Sequence, residues 1–177
     1  MTSELRVSNI AAVGGTSAIG IASDGSVSGI ATTKTEVATT SGTFKDITVP
    51  STAKIIYVGI MGFSQSGSTA NFEIQLGTSG GIVTSGYQST ALYLGGGHNS
   101  GGANVTTTDS FVFGHNVGVS SAVYGLMTIA SMGGNQYCFS SNVKIGAYIN
   151  WGAGYVSLGG AVTTIRIQTD SSCLLYT

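Results

Sequence analysis

The first candidates for chemistry in this 177-residue sequence are its two histidines, His98 and His115, its two cysteines, Cys138 and Cys173, and the mid-chain acids Glu73 and Asp109. A structural or catalytic zinc or iron site draws three or four ligands into one tight shell. No Cys-x-x-Cys or His-x-x-x-His spacing occurs here, and Asp109 is the acid nearest in sequence to both histidines. The expected reading is two exposed loop histidines and no metal. A serine hydrolase needs a nucleophile elbow and an orienting acid. Gly77-Thr78-Ser79-Gly80-Gly81 has the wrong spacing for such an elbow, and no helix pattern comes after it. Glycoside cleavage needs two carboxylates facing one cleft, a task that would fall to Glu73 and Asp109. The run Gly95 to Gly102, GGGHNSGG, lacks the Gly-Lys-Ser/Thr ending of a phosphate loop. These patterns point away from an enzyme and imply no cofactor.

Aromatic and amide side chains make the stronger binding pattern. Tyr87, Tyr93, Tyr137, Tyr148, Trp151 and Tyr155 fall at or near the ends of β-prone segments, beside Gly- and Asn-rich stretches that include Asn99, Asn104, Asn135 and Asn150. An aromatic face against the apolar face of a sugar ring, rimmed by neutral amides, is a chemistry for glycan recognition. The candidate ligand-binding residues are therefore Trp151, Asn150, Tyr137, Tyr87 and Asn99. Trp151 leads them, in the turn-like Asn150-Trp151-Gly152-Ala153-Gly154. The competing role for each is packing in a core or between subunits.

Charge is scarce. Only 7% of residues are Asp, Glu, Lys or Arg, and no basic residue lies between Lys54 and Lys144; an average soluble protein carries about 25%. A net charge of −1 without a basic run argues against a nucleic-acid partner. The longest apolar run, Ile55 to Phe63, is too short to span a bilayer, and the opening MTSELRVSNIAAVGG carries Glu4 and Arg6 where a signal peptide needs an apolar core. With no export signal, Cys138 and Cys173 are expected as buried free thiols. Glycine, serine and threonine supply 74 of the 177 residues. A surface so poor in charge fits burial in an oligomer or a larger assembly.

The elements that would position these residues are strands. Residues 1–42 differ in texture from the rest, with two short apolar pieces, Leu5 to Ile10 and Ala18 to Ile21, separated by Gly14-Gly15. An N-terminal arm that pairs with another protein fits them, with Leu5, Val7, Ile10, Ile19 and Ile21 as attachment residues; a first hairpin of the main fold is the other reading. From residue 43 the strand pattern is continuous. Phe44, Ile47 and Val49 lead to Pro50, which ends a strand, and Lys54 to Phe63 reads as a long buried strand. Asn71 to Gly77 alternates with period two, placing Phe72, Ile74 and Leu76 inward and Glu73 outward as a solvated charge. Further short strands reach Gln168, and no segment shows capped helical periodicity. The expectation is an all-β fold, an antiparallel jelly-roll-like β-sandwich over residues 43–177 with an extended arm before it.

Two parts of the chain resemble tail-fibre and related virion appendage proteins of bacteriophages. Ser3 to Ile10 and then a Gly-rich turn is similar to the short leader of many fibre-like proteins. Asp46-Ile47-Thr48-Val49-Pro50 followed by Lys54-Ile55-Ile56 resembles a repeated fibre-domain pattern, I-x-x-I-P-x-x-x-K-x-I. Ile74 to Gly81 with Thr84 to Tyr87 is close to the next segment of that domain, and Leu158-Gly159-Gly160 with Thr164 to Ile167 looks like its penultimate strand. At the C-terminus the sequence departs, passing from Asp170 directly to Cys173-Leu174-Leu175-Tyr176 with a shortened turn. The resemblance implies a virion structural protein, a β-sandwich head and a homotrimer, and it carries over no catalytic residue. Taken with the aromatic and amide pattern, the expected reading is an appendage that contacts other virion proteins (capsid, portal or neck, or tail) and adheres to a host-surface glycan. A capsid decoration or head-fibre protein is the alternative.

Overall fold

The computed structural model describes residues 9–11, 17–21, 27–28, 35–39, 42–67, 69–94, 103–119, 121–170 and 175–176. The chain separates into two compact units, Met1–Glu36 and Val37–Thr177. The first contains a small antiparallel sheet of β1 (Asn9–Ala11), β2 (Ser17–Ile21) and β3 (Val27–Ser28), ordered β1-β2-β3. Ile10 on β1 pairs with Ile19 on β2, and Ile21 pairs with Val27 on β3. Leu5 and Val7 lie outside the described residues. The segment expected as an extended arm thus carries a sheet of its own.

The second unit is a sandwich of two antiparallel sheets, with no helix among the described residues. Its strands are β4 (Phe44–Thr48), β5 (Ile55–Gln65), β6 (Ala70–Thr78), β7 (Gly81–Ile82), β8 (Tyr87–Leu94), β9 (Ala103–Thr107), β10 (Phe111–Val117), β11 (Val123–Gly133), β12 (Gln136–Ile145), β13 (Tyr148–Ser157), β14 (Thr164–Thr169) and β15 (Leu175–Tyr176). The smaller sheet runs β10-β6-β14-β4, with β7 paired to β6; the larger runs β15-β5-β11-β12-β13-β8-β9. Period-two sequences make this possible because alternate side chains of each strand meet between the sheets. Phe72, Ile74 and Leu76 of β6 and Ile165 and Ile167 of β14 meet Met127, Ile129, Phe139, Val143 and Val156 of the large sheet. Aromatic rings fill the centre. Phe63 meets Phe72 edge to face at 4.8 Å, and Phe111 stacks on Phe139 at 4.8 Å. At the edge, Arg166 ties β14 to β4 by a bidentate pair with Asp46 at 2.7 and 2.8 Å and lies 3.9 Å over the Phe44 ring.

Glycine shapes the sheets at specific points. On β5, Gly62 (φ 73°) is an extra residue between the pairs Met61↔Tyr124 and Phe63↔Val123, a bulge that turns Phe63 into the core. Gly134 and Asn135, with φ 58° and 60°, form the two-residue loop joining β11 to β12, the backbone that a type I′ hairpin requires. The segment expected as a turn around Trp151 is instead the middle of β13. Its Gly152 and Gly154 are there for close packing between sheets. A Cβ at Gly152 would stand 2.4 Å from the Val112 carbonyl oxygen, and one at Gly154 2.7 Å from the Phe111 ring.

Candidate functional site

The face of the large sheet turned away from the core gathers most of the exposed large hydrophobic side chains among the described residues. Strand register sets it out in rows. Met61, Tyr124, Lys144, Ile149 and Leu94 lie side by side across β5, β11, β12, β13 and β8; the next row is Gly59, Leu126, Asn142, Trp151 and Leu92. A third row runs Tyr57, Thr128, Ser140, Ala153 and Thr90. Nine of the thirteen large hydrophobic side chains that are exposed among the described residues belong to this face, with Met61 at 84%, Tyr57 at 67% and Trp151 at 42% of full exposure. Lys144 is the one charged side chain in the three rows. Between β11 and β12 the face dips into a shallow hollow of about 640 Å³ lined by Tyr124, Leu126, Thr128, Ser140, Asn142 and Lys144.

The period-two logic explains how this face arises. On β5, Val58 and Ile60 are buried while Ile55, Tyr57 and Met61 are exposed. The continuous apolar run expected to be buried therefore has only one face covered within a single chain. Monomeric soluble proteins rarely expose contiguous apolar patches beyond about 300–600 Å².

The residues expected to bind a ligand are not brought together. Trp151 lies exposed on the outward face of β13. Tyr87 is buried, correcting its expected surface role: its hydroxyl accepts the Leu76 N–H at 2.7 Å and donates to the Val83 carbonyl at 3.1 Å, and its ring meets Phe111 edge to face. Burial pushes the Tyr87 phenol up to about 12. Tyr137 is also buried, its hydroxyl accepting the Val162 N–H at 3.2 Å. Asn150 points inward, where its Oδ1 accepts the His115 N–H at 2.9 Å. All three occupy inward positions of their strands, and a buried tyrosine hydroxyl or asparagine amide serves there by pairing a backbone group that would otherwise be unsatisfied. Asn99 and His98 lie outside the described residues.

An aromatic group that sequence reasoning does not assemble sits where β8, β10 and β13 meet. Tyr93 packs 5.6 Å from His115 and 5.4 Å from Tyr148. His115 is a half-buried strand residue, not the exposed loop histidine expected. Asn71 fixes its tautomer. Asn71 Nδ2 donates to Asp170 Oδ2 at 2.8 Å, and Asn71 Oδ1 accepts the Asn116 N–H at 3.1 Å. The Asn71 oxygen therefore faces His115 Nδ1 at 2.8 Å, so that nitrogen carries the proton. Burial lowers the His115 pKa, opposed by the charge of Asp170.

Glu73 is the clearest departure from expectation among the charged groups. It lies on the outward face of the small sheet as its alternation requires, yet it is 3% exposed. The β9–β10 connection covers it: Gln75 Nε2 donates to the Asp109 carbonyl at 3.1 Å, and Ser110 is fully buried beside it. Burial pushes the Glu73 carboxyl up to about 7, aided by the charges of Asp109 and Asp170 and opposed by hydrogen bonds from Gln168 and Ser110. Gln168 Nε2 donates to Glu73 Oε2 at 3.3 Å. Glu73 is thus buried beneath that connection, with the charge of Asp109 within electrostatic reach.

Among the described residues no three His, Cys, Asp or Glu side chains stand close enough to hold a metal ion, and no helix is long and apolar enough to cross a membrane. Cys138 is a half-buried free thiol on β12; Cys173 lies outside the described residues. Comparison with protein-family models, with curated proteins and with solved structures finds no match.

Proposed function

We propose that this chain is a non-enzymatic structural protein of a phage virion, an appendage that docks to the particle through residues 1–42 and presents its sandwich for adhesion to a host-surface glycan. The observation that carries this reading is the broad, nearly uncharged apolar face of the large sheet. A surface of that kind suits a subunit that works inside an assembly. Strand order supports it further. The small sheet has the order β4-β14-β6-β10, and the large sheet has β5 and β11 on one side and β8 and β9 on the other, with the β12–β13 hairpin between them. We read this as an eight-stranded jelly roll, four strands per sheet, widened by one inserted hairpin. The sequence resemblance to virion appendages, which implies a homotrimer, agrees with a jelly roll of this kind.

Docking through the arm rests on Ile10, Ile19 and Ile21 in the small sheet of the first unit, together with Leu5 and Val7. Adhesion would draw on the exposed aromatic Tyr148 at the sandwich end, whose ring is able to stack on a sugar. Deleting residues 1–42 tests the docking: the truncated chain should be lost from particles, and undiminished incorporation would refute the role of the arm. Binding of the isolated second unit to host cells tests adhesion. Saturable binding that free glycan competes away supports it; absence of binding at any concentration favours capsid decoration instead.

A further inference from the structure

We infer that the outward face of the large sheet is the surface on which copies of this chain meet one another. This deepens the assembly reading above and rests on it for the role of the face, but its occupant is argued separately. The first argument is area. Nine large side chains at 36–84% exposure, of a size class that buries 150–250 Å² apiece when aromatic, offer on the order of 900 Å². A standard stable interface takes about 800 Å² from each partner.

The second argument is charge. Lys144, penultimate in β12, stands at one end of the strands, where the rim of a contact would leave it in water. The rest of the three rows is neutral, so two copies of this face meet without like-charge repulsion. A partner chosen by charge complementarity would find almost nothing to read here.

The third argument is relief. Gly59 lies in extended strand with nothing within 4 Å of where its Cβ would be. No contact inside the protomer calls for glycine at this position. Its absence of a side chain opens a recess flanked by the two most exposed large side chains of the strand, Tyr57 and Met61. One face therefore carries both the projections and the recess that a contact between like surfaces must pair. Trp151 lies in the row that continues from Gly59, which places it among the subunit contacts.

Sedimentation velocity of the full chain over about 0.1–50 μM, a range set by the affinities of standard-sized interfaces, tests this. Trp151 fluorescence provides a second readout, because it is the only tryptophan in the chain. The wild type is expected to sediment as an oligomer and to shift its emission to the red on dilution. Gly59→Glu should keep the far-ultraviolet spectrum of the folded sandwich, since its Cβ enters open space, and weaken association by on the order of 100-fold or more by burying an unpaired carboxylate. Leu126→Glu should do the same from the neighbouring strand. Thr48→Glu, exposed on edge strand β4, should leave the mass unchanged. A wild type that stays monomeric across this range overturns the inference, as does a Gly59→Glu chain that keeps the wild-type mass. Incorporation into particles is scored separately: a wild type that stays monomeric yet joins particles refutes self-association and leaves the virion role standing, whereas a wild-type oligomer absent from particles refutes the virion role and leaves self-association standing.

Discussion

Glu73→Gln should abolish a fall in stability that the wild-type protein shows as the solution turns from acid to neutral. In the folded chain burial raises the Glu73 carboxyl from 4.5 to about 7. The folded state therefore holds this proton more tightly than the unfolded chain does, and stability falls with pH between the two values. The sign is opposite to that of a salt-bridged carboxylate. The contribution is fully present below about pH 4.5 and gone once the pH has passed through about 7. The gap of about 2.5 pH units, at 1.36 kcal/mol for each, amounts to roughly 3 kcal/mol. For a domain of this size each kcal/mol moves Tm by about 2–4 °C, so this carboxyl should lower Tm by about 6–12 °C between roughly pH 4.5 and pH 8. Thermal unfolding of the wild type and Glu73→Gln across that range isolates the effect, because every other titrating group is common to both proteins. Near pH 8 the variant should be the more stable. Parallel Tm curves for the two proteins would refute the reasoning and place Glu73 in water.

Three further substitutions test how the sandwich is closed, and a fourth, Gly59→Ala, serves as their control. Tyr87→Phe removes the hydroxyl that pairs the Leu76 N–H and the Val83 carbonyl, and should cost about 1–3 kcal/mol in urea unfolding without changing the m-value. Asn150→Ala leaves the His115 N–H without its acceptor and should cost a similar amount; in the same variant the amide of His115 should lose protection in hydrogen exchange. Gly152→Ala drives a methyl group to within 2.4 Å of the Val112 carbonyl and should destabilise by at least about 1–3 kcal/mol, the usual cost of overpacking. Gly59→Ala, with open space around it, should cost almost nothing by the same measurement.

Much of this architecture is legible in period-two alternation, which also explains where the sequence misleads. The pattern from Asn71 to Gly77 assigns Phe72, Ile74 and Leu76 to the core, and they are fully buried. It also puts Glu73 on the opposite face, as observed, but alternation says only which side a residue takes. A connection some 35 residues later, around Asp109 and Ser110, folds over that side, and nothing local to Glu73 foretells it. Gly152 and Gly154 look like turn residues in the sequence. Two glycines spaced by two in an otherwise β-prone stretch lie on one face of a strand, and close approach of another backbone is the alternative explanation for them. The run from Ile55 to Phe63 reads as buried because both of its faces are apolar. Within one chain only one face is covered, so apolar character on both sides of a strand does not by itself mean burial on both. Tyr87, Tyr137 and Asn150 mislead because an aromatic or amide near a strand end looks alike whether its polar tip meets a ligand or a backbone N–H.

Location tests the account most directly. Particles produced from the genome that encodes this chain can be purified on a density gradient and their proteins quantified by mass spectrometry. Peptides from residues 43–170 should band with the infectious particles, and their amount should stay fixed relative to the major shell protein through a second gradient. A chain recovered only in the soluble fraction of the lysate would contradict the structural role proposed here.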